Sequence, residues 1–309
     1  MGLRPMNNLF VFGLGYSASA IGALLEQKRW QVLGTARSAA KFEALKAQGL
    51  TPVLFSDADG IARALANATH CLVSAPPGEA ADPVLATYAQ ALHAAARLHW
   101  IGYLSTIGVY GDFQGAWVVE DTPSEPDTER GFARLKAEAA WTAFCRERGL
   151  PLDIFRLAGI YGPGRSPLDR IRLGEARRIV KPGQVFNRIH VDDIARTVAA
   201  AIFQERQEPG TRVFNVADDE PAPPQDVILY AAELIGTPPP PEIPFESAAL
   251  SPMARSFYAG NKRMRNDKIK RELGIVLKYP TYREGLRAVV EHPASGGVAA
   301  DAEPLAVKI

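Results

Sequence analysis

The sequence predicts an α/β protein: a doubly wound parallel sheet with a small C-terminal cap. Three observations predict it. Short apolar runs alternate with helical stretches through the first half of the chain. Those runs are continuously apolar, as in strands covered on both faces. A glycine-rich turn, Gly13-Leu14-Gly15-Tyr16-Ser17-Ala18, follows the first run. Such turns join strand to helix at the carboxyl edge of a parallel sheet.

Leu9–Phe12 is the first strand, and residues 17–28 carry Ala20, Ile21, Leu24 and Leu25 at helical spacing. Trp30–Thr35 is the second strand, and Ala39–Gln48 a helix stopped by Gly49. Pro52–Phe55 is the third strand, with a short helix around Ile61–Leu65. Cys71–Val73 is the fourth, ended by Pro76-Pro77-Gly78. A helix carrying Val84, Leu85, Tyr88, Leu92 and Ala95 leads to the fifth strand, Ile101–Leu104. Residues 111–130 are polar, contain Pro123 and Pro126, and read as a loop. A helix from Phe132 to Arg148 ends at Gly149, and Leu152–Phe155 is the sixth strand. Beyond Tyr161 the alternation weakens. Val213–Val216 reads as one more core strand, and Gln225–Leu234 and Asn266–Leu273 as helices. Pro238–Pro241 is a polyproline spacer. The nucleotide-binding domain is therefore expected over 7–160, completed by segments within 188–216. The cap is expected over 161–187 and 217–291. Residues 292–309 read as a disordered tail. No internal repeat is found.

Composition removes several function classes. Of 309 residues 47% are hydrophobic, enough for a full core. Lys+Arg (35) and Asp+Glu (34) nearly cancel, so nucleic-acid binding has no electrostatic footprint. No apolar run reaches membrane-spanning length, and the opening residues lack the apolar stretch of a signal peptide. A cytoplasmic protein without a membrane partner is expected. Cys71 and Cys145 make neither a zinc cage nor a disulfide framework, and are expected to be buried thiols. The five histidines, His70, His93, His99, His190 and His292, show no HxxxH or HExxH spacing, so no metal site is expected.

The glycine turn carries the first chemistry. Gly13 permits the tight turn, Gly15 lets the backbone approach a pyrophosphate, and Ala18 keeps the helix close to the sheet. Tyr16 and Ser17 open a helix whose free N–H groups face the anion. This is the pattern of a Rossmann dinucleotide site. The second strand ends at Thr35-Ala36-Arg37-Ser38, with no acid to hold a ribose 2′-hydroxyl. Arg37, helped by Ser38, suits a 2′-phosphate instead. NADP(H) is the expected cofactor and NAD(H) the alternative; a solvated surface role for Arg37 is the other reading. Ala75 and Pro76 are expected to border the nicotinamide end.

Several later segments, in order, resemble an extended short-chain dehydrogenase/reductase of the NAD(P)-dependent sugar epimerase/dehydratase family. Leu104-Ser105-Thr106-Ile107-Gly108-Val109-Tyr110-Gly111 is similar to the family's strand end finishing in Val-Tyr-Gly. Gly159-Ile160-Tyr161-Gly162-Pro163-Gly164-Arg165 resembles its entry to the substrate domain, and Arg188 to Ala195 its "hVdDla" segment. Phe214-Asn215-Val216 resembles its last core strand. The resemblance spans about residues 8–290. It implies a catalytic Ser/Thr, Tyr and Lys, and a homodimer. Thr106 takes the Ser/Thr place, four residues before Tyr110. Lys136 matches the lysine that binds the nicotinamide ribose and lowers the tyrosine pKa. Ala137-Glu138 supports that register, in which the acid/base tyrosine of Y-x-x-x-K falls on Phe132.

Phe132 has no proton to give, so the chain resembles atypical members lacking the tyrosine. Three readings follow. Another group supplies the proton, with Tyr110, His190, Tyr161 or a water near Lys136 as candidates. Or the protein binds NADP(H) as a sensor without turnover. Or its hydride step needs no protein acid. Arg165, Arg177, Arg178 and Lys181 are candidate anchors for an anionic substrate such as a nucleotide sugar, with a solvated surface as the alternative. The basic segment Asn261–Arg271 faces either a phosphate or solvent.

Overall fold

The computed structural model describes residues 7–47 and 49–293. The opening residues, Gln48 and the tail beyond 293 lie outside the described residues, so the signal-peptide and disordered-tail expectations fall there. The chain runs β1 (Asn8–Phe12), α1 (Tyr16–Glu26), β2 (Gln31–Ala36), α2 (Ala39–Ala47), β3 (Thr51–Leu54), α3 (Ala58–Asn67), β4 (His70–Val73), α4 (Pro83–Ala94) and β5 (Trp100–Thr106). After a 3-10 turn (Ile107–Tyr110) come β6 (Trp117–Val118), α5 (Glu129–Arg148), β7 (Pro151–Leu157), β8 (Gly159–Tyr161), α6 (Pro167–Arg172), β9 (Arg178–Val180) and β10 (Arg188–His190). The remainder is α7 (Val191–Phe203), β11 (Gly210–Val216), α8 (Pro224–Leu234), β12 (Glu242–Pro244), α9 (Pro252–Ser256), β13 (Arg263–Met264), α10 (Asp267–Leu273) and α11 (Tyr282–Glu291).

Seven parallel strands form the main sheet in the order β11-β7-β5-β4-β1-β2-β3. The order reverses between β1 and β4, which opens a crevice at their carboxyl ends. One face is covered by α1, α7 and α10 through Ile21, Leu25, Ile194, Val198 and Ile269. The other is covered by α3, α4 and α5 through Ile61, Leu65, Tyr88, Leu92, Trp141 and Phe144. Each strand is therefore buried on both sides, as its unbroken apolar run requires. A smaller apolar cluster of Tyr161, Leu168, Val227, Tyr282 and Leu286 forms between α6, α8 and α11.

Helix ends follow local chemistry. Thr128 accepts the Gly131 N–H at 3.1 Å and starts α5, and Gly149 at φ +63 stops it. The 111–130 loop differs from expectation: it contains β6, which pairs in parallel with β13. Two residues cannot signal a strand locally, and distant Arg263–Met264 supplies the partner. The helices α7 and α11 lie where alternation weakens. Asp193 is fully buried at the start of α7 and accepts the N–H groups of Lys278 (2.7 Å) and Tyr279 (2.9 Å). That carboxylate ties α7 to the approach of α11. Among the described residues no helix is long and apolar enough to cross a membrane.

The amino ends of the strands carry a buried histidine. His70 packs against Trp30, His99 and Trp100, and its Nδ1 lies 3.0 Å from Thr69 Oγ1. Burial, with help from His99, pushes its pKa down to about 3. In the unfolded chain it titrates near 6.5. As pH falls through that value the unfolded chain gains a proton the folded one refuses, so stability declines. His70→Gln is expected to flatten this acid limb by up to about 1.4 kcal/mol per pH unit between about pH 6.5 and 4. Urea unfolding across that range measures it; an unchanged slope would refute the assignment.

Candidate active site

The turn after β1 is bolted to its neighbours. Gly13 adopts φ +92, its N–H donates to Thr35 Oγ1 at 2.8 Å, and a Cβ there would stand 2.9 Å from the Ala75 nitrogen. Only glycine fits both conditions. Gly15 is different. Its backbone is extended, and a Cβ there would meet nothing within 4 Å. No described residue requires glycine at position 15, and the space beside it is open. Gly15 caps α1 without a side-chain hydrogen bond, and the first turn holds no acid. The free N–H groups there favour an anion. Ser17 and Ala18 are buried against the sheet. The Tyr16 hydroxyl donates to the Pro163 carbonyl (3.1 Å), and the Arg165 guanidinium lies over its ring at 5.7 Å. The turn is thereby joined to the segment after β8. An open space, unpaired N–H groups and a helix N-terminus fit a pyrophosphate.

Arg37 is exposed one residue past β2. Ser38 Oγ accepts the Lys41 N–H at 3.2 Å and opens α2, a local role the sequence reading did not assign. Ala75 is half-buried and Pro76 exposed just past β4, at the crevice. Lys136 is exposed, and its Nζ donates to the Ala80 carbonyl at 2.7 Å. It ties α5 to the loop after β4. Thr106 ends β5, and its Oγ1 accepts the Gly108 N–H at 3.2 Å. The first turn of α5 packs on that same 3-10 turn, since a Cβ on Gly131 would stand 2.8 Å from the Gly108 carbonyl. Phe132 follows directly, 59% exposed. Thr106, Phe132 and Lys136 thus meet the carboxyl ends of β4 and β5.

The protein's proton-donor candidates lie elsewhere. Tyr110 is fully buried; its hydroxyl donates to Asn215 Oδ1 at 2.7 Å, and the Arg156 guanidinium covers its ring at 4.7 Å. It is a packing residue, which corrects the catalytic role offered from sequence. Tyr161 is buried, with its hydroxyl 3.4 Å from the Thr281 carbonyl and its ring edge-on to His190. His190 is buried as well, and its Nδ1 accepts the Asp192 N–H at 3.2 Å. Burial pushes its pKa to about 4, which keeps the ring neutral near pH 7. It caps α7.

Beneath these residues lies a network that the sequence reading missed. Glu138 is buried on α5 and receives both Nε (3.2 Å) and Nη2 (2.8 Å) of Arg156, together with the Ser105 hydroxyl. Beyond Tyr110, the Asn215 N–H donates to Glu120 Oε1 (2.9 Å) and its Nδ2 to the Arg265 carbonyl (3.2 Å). An acid on the sheet-facing side of a helix was the available signal.

The expected anion anchors are largely engaged. Arg177 donates to the Ala249 carbonyl (2.6 Å), Arg178 pairs with Glu242 (2.9 Å), and Lys181 donates to the Tyr258 carbonyl (2.5 Å). In the basic segment, Lys262 is buried on the Gly111 carbonyl, Arg263 holds the Gly115 carbonyl, and Lys270 pairs with Asp219 at 2.5 Å. These cations brace the fold rather than face a phosphate. No group of three or more His, Cys, Asp or Glu side chains is placed to hold a metal ion among the described residues.

A family model described as the NAD dependent epimerase/dehydratase family matches residues 9–217. A solved structure of a functionally unknown conserved protein from Silicibacter pomeroyi DSS is 50% identical, with a TM-score of 0.82 over 92% of this chain and 98% of that one. Protein YeeZ of Escherichia coli (strain K12) is 29% identical over 291 residues, 89% of this chain and 97% of its own. UDP-glucuronic acid 4-epimerase from Bacillus cereus, solved with NAD, shares 19% identity and a TM-score of 0.70 over 91% of this chain and 96% of that one. At that identity the likeness is one of fold.

Glu138→Ala would leave Arg156 buried without its partner. A loss of about 3–5 kcal/mol is expected, and urea denaturation measures it. A loss below about 1 kcal/mol would mean that the pair does not hold α5.

Proposed function

We propose, on the premise that this chain belongs to the NAD-dependent epimerase/dehydratase family, that it is an NADP(H)-preferring oxidoreductase acting on a sugar nucleotide or other small carbonyl or alcohol. The open space at Gly15, beside unpaired helix N–H groups, carries the reading. Arg37, standing where a family acid would hold a 2′-hydroxyl, supports NADP(H) over NAD(H). Residues 7–160 would hold the dinucleotide, and residues 161–187 and 217–291 would cap the substrate. Both thiols are buried, and burial pushes Cys145 up to about 12, which suits a protein of the reducing cytoplasm.

A bound nicotinamide supplies or accepts a hydride. Thr106, at the end of β5, holds a substrate oxygen by its hydroxyl. Lys136 holds the nicotinamide ribose, releasing the Ala80 carbonyl when it does. Ala75 and Pro76 wall the nicotinamide end. Phe132 neither gives nor takes a proton, so a proton exchanged at the substrate oxygen passes through water beside Lys136. The same Phe132 favours a second reading, an NADP(H) sensor without turnover.

Paired thermal-shift titrations with NADPH and NADH test the cofactor. A larger rise in Tm with NADPH is expected, and no rise with either would refute dinucleotide binding. Gly15→Val should leave the unliganded Tm nearly unchanged, because nothing lies near that Cβ, yet abolish the NADPH shift. Arg37→Ala should weaken NADPH by about tenfold or more and NADH little. Equal losses would reject the 2′-phosphate contact. Phe132→Tyr should raise carbonyl reduction if Thr106 and Lys136 are poised; an unchanged rate in an NADPH-binding variant favours the sensor.

A further inference from the structure

The strand β10 runs beside β8, which begins two residues after β7 ends. The pair therefore sits over the carboxyl edge of the main sheet, where ligands bind in this fold. Alternation divides its side chains. Ile160 and Ile189 point into the main core, while Arg188 and His190 take the opposite face with Tyr161.

Arg188 is half-buried and incompletely used. Its Nη1 donates to the carbonyls of Phe186 (3.0 Å) and Ala222 (3.2 Å). Its Nε and Nη2 donate to no described residue, and no carboxylate pairs with it within 4.0 Å among them. An arginine so desolvated, with three of its five N–H donors unused, ordinarily has a partner. Two further polar atoms nearby also lack one. The Tyr258 hydroxyl is buried and unpartnered, and Arg188 acts on it electrostatically. Asp218, buried just past β11, uses one carboxyl oxygen for the Glu220 N–H (3.2 Å), and its Oδ2 has no partner. Burial raises the Asp218 pKa well above its ordinary value, against the pull of Arg188.

We infer that Arg188 anchors a carboxylate group of the substrate, with the Tyr258 hydroxyl as a further donor. The Nε–Nη2 edge of a guanidinium matches the two oxygens of one carboxylate side by side. Arg177, Arg178 and Lys181, the cations that would add charge for a diphosphate, are engaged by Ala249, Glu242 and Tyr258. The substrate class is thus a small carbonyl or alcohol bearing a carboxylate. This inference rests on the proposed function in taking the cleft as a substrate site.

Trifluoroacetate, a carboxylate with a fluorine reporter, tests it by 19F NMR on the full chain. Saturable broadening is expected, reversed by acetate at least as effectively as by pyrophosphate. Arg188→Gln should weaken binding by about ten- to a hundredfold. Tyr258→Phe removes only a hydroxyl, keeps the ring, and should weaken binding by about three- to tenfold; it serves if Arg188→Gln does not fold. Broadening equal to the unsubstituted protein in both variants, no broadening in that protein, or stronger displacement by pyrophosphate would each overturn the carboxylate site. NADPH thermal shifts on the same samples separate the two proposals. Lost NADPH binding with retained broadening refutes the cofactor reading alone; retained NADPH binding without broadening refutes the carboxylate site alone.

Discussion

Glu138 and Arg156 form an ion pair with almost no contact with water, on a helix and a strand that must stay together. Such a pair is costly to desolvate, and removing either partner leaves the other charge buried and uncompensated. Its consequence here is positional. Glu138 lies on α5 two residues past Lys136, while Arg156 lies on β7 and Ser105 on β5. Tyr110 extends the network to Asn215 on β11. Three strands and one helix are thereby fixed at the carboxyl edge of the sheet. The placement of Thr106, Phe132 and Lys136 depends on that fixation, because each lies within a few residues of a network member.

The two edges of the sheet have separate duties. At the amino edge, Asp153 is fully buried among Trp100, Arg206 and Arg212, and His70 packs among aromatic rings. Every donor there that reaches Asp153 finds an acceptor. At the carboxyl edge, unused capacity collects: the space at Gly15, the shielded Nε2 of His190, the Tyr258 hydroxyl and the Nε–Nη2 edge of Arg188. Buried polar groups normally find partners; at the amino edge Asn8 Oδ1 and His99 Nδ1 lack one too, so it is the open space at Gly15 that sets the carboxyl edge apart. Phe132 sharpens the chemistry of that edge. Tyr110, Tyr161 and His190 are engaged or shielded, so none of these three candidates stands open to replace the acid that Phe132 lacks.

Much of this was legible in the chain. The unbroken apolar runs fixed the strand-helix alternation of the first half, because a strand covered on both faces can expose no polar side chain. The glycine turn was legible because what it asks of the backbone is local: Gly13 meets a positive φ and a close approach, and Gly15 leaves open space. Thr106, Lys136 and Phe132 were singled out by the resemblance to the family's motifs, and they lie on one strand end and one helix. Tertiary structure decided what depends on distant partners. Tyr110 is buried because Asn215, 105 residues away, accepts its hydroxyl. Arg178 and Lys181 read as free cations until Glu242 and the Tyr258 carbonyl are brought to them. The strands β6 and β13 exist only as a pair. Arg188 shows the opposite: its sequence neighbours gave no sign of an unused guanidinium edge, since whether a charge is satisfied is a property of everything folded around it.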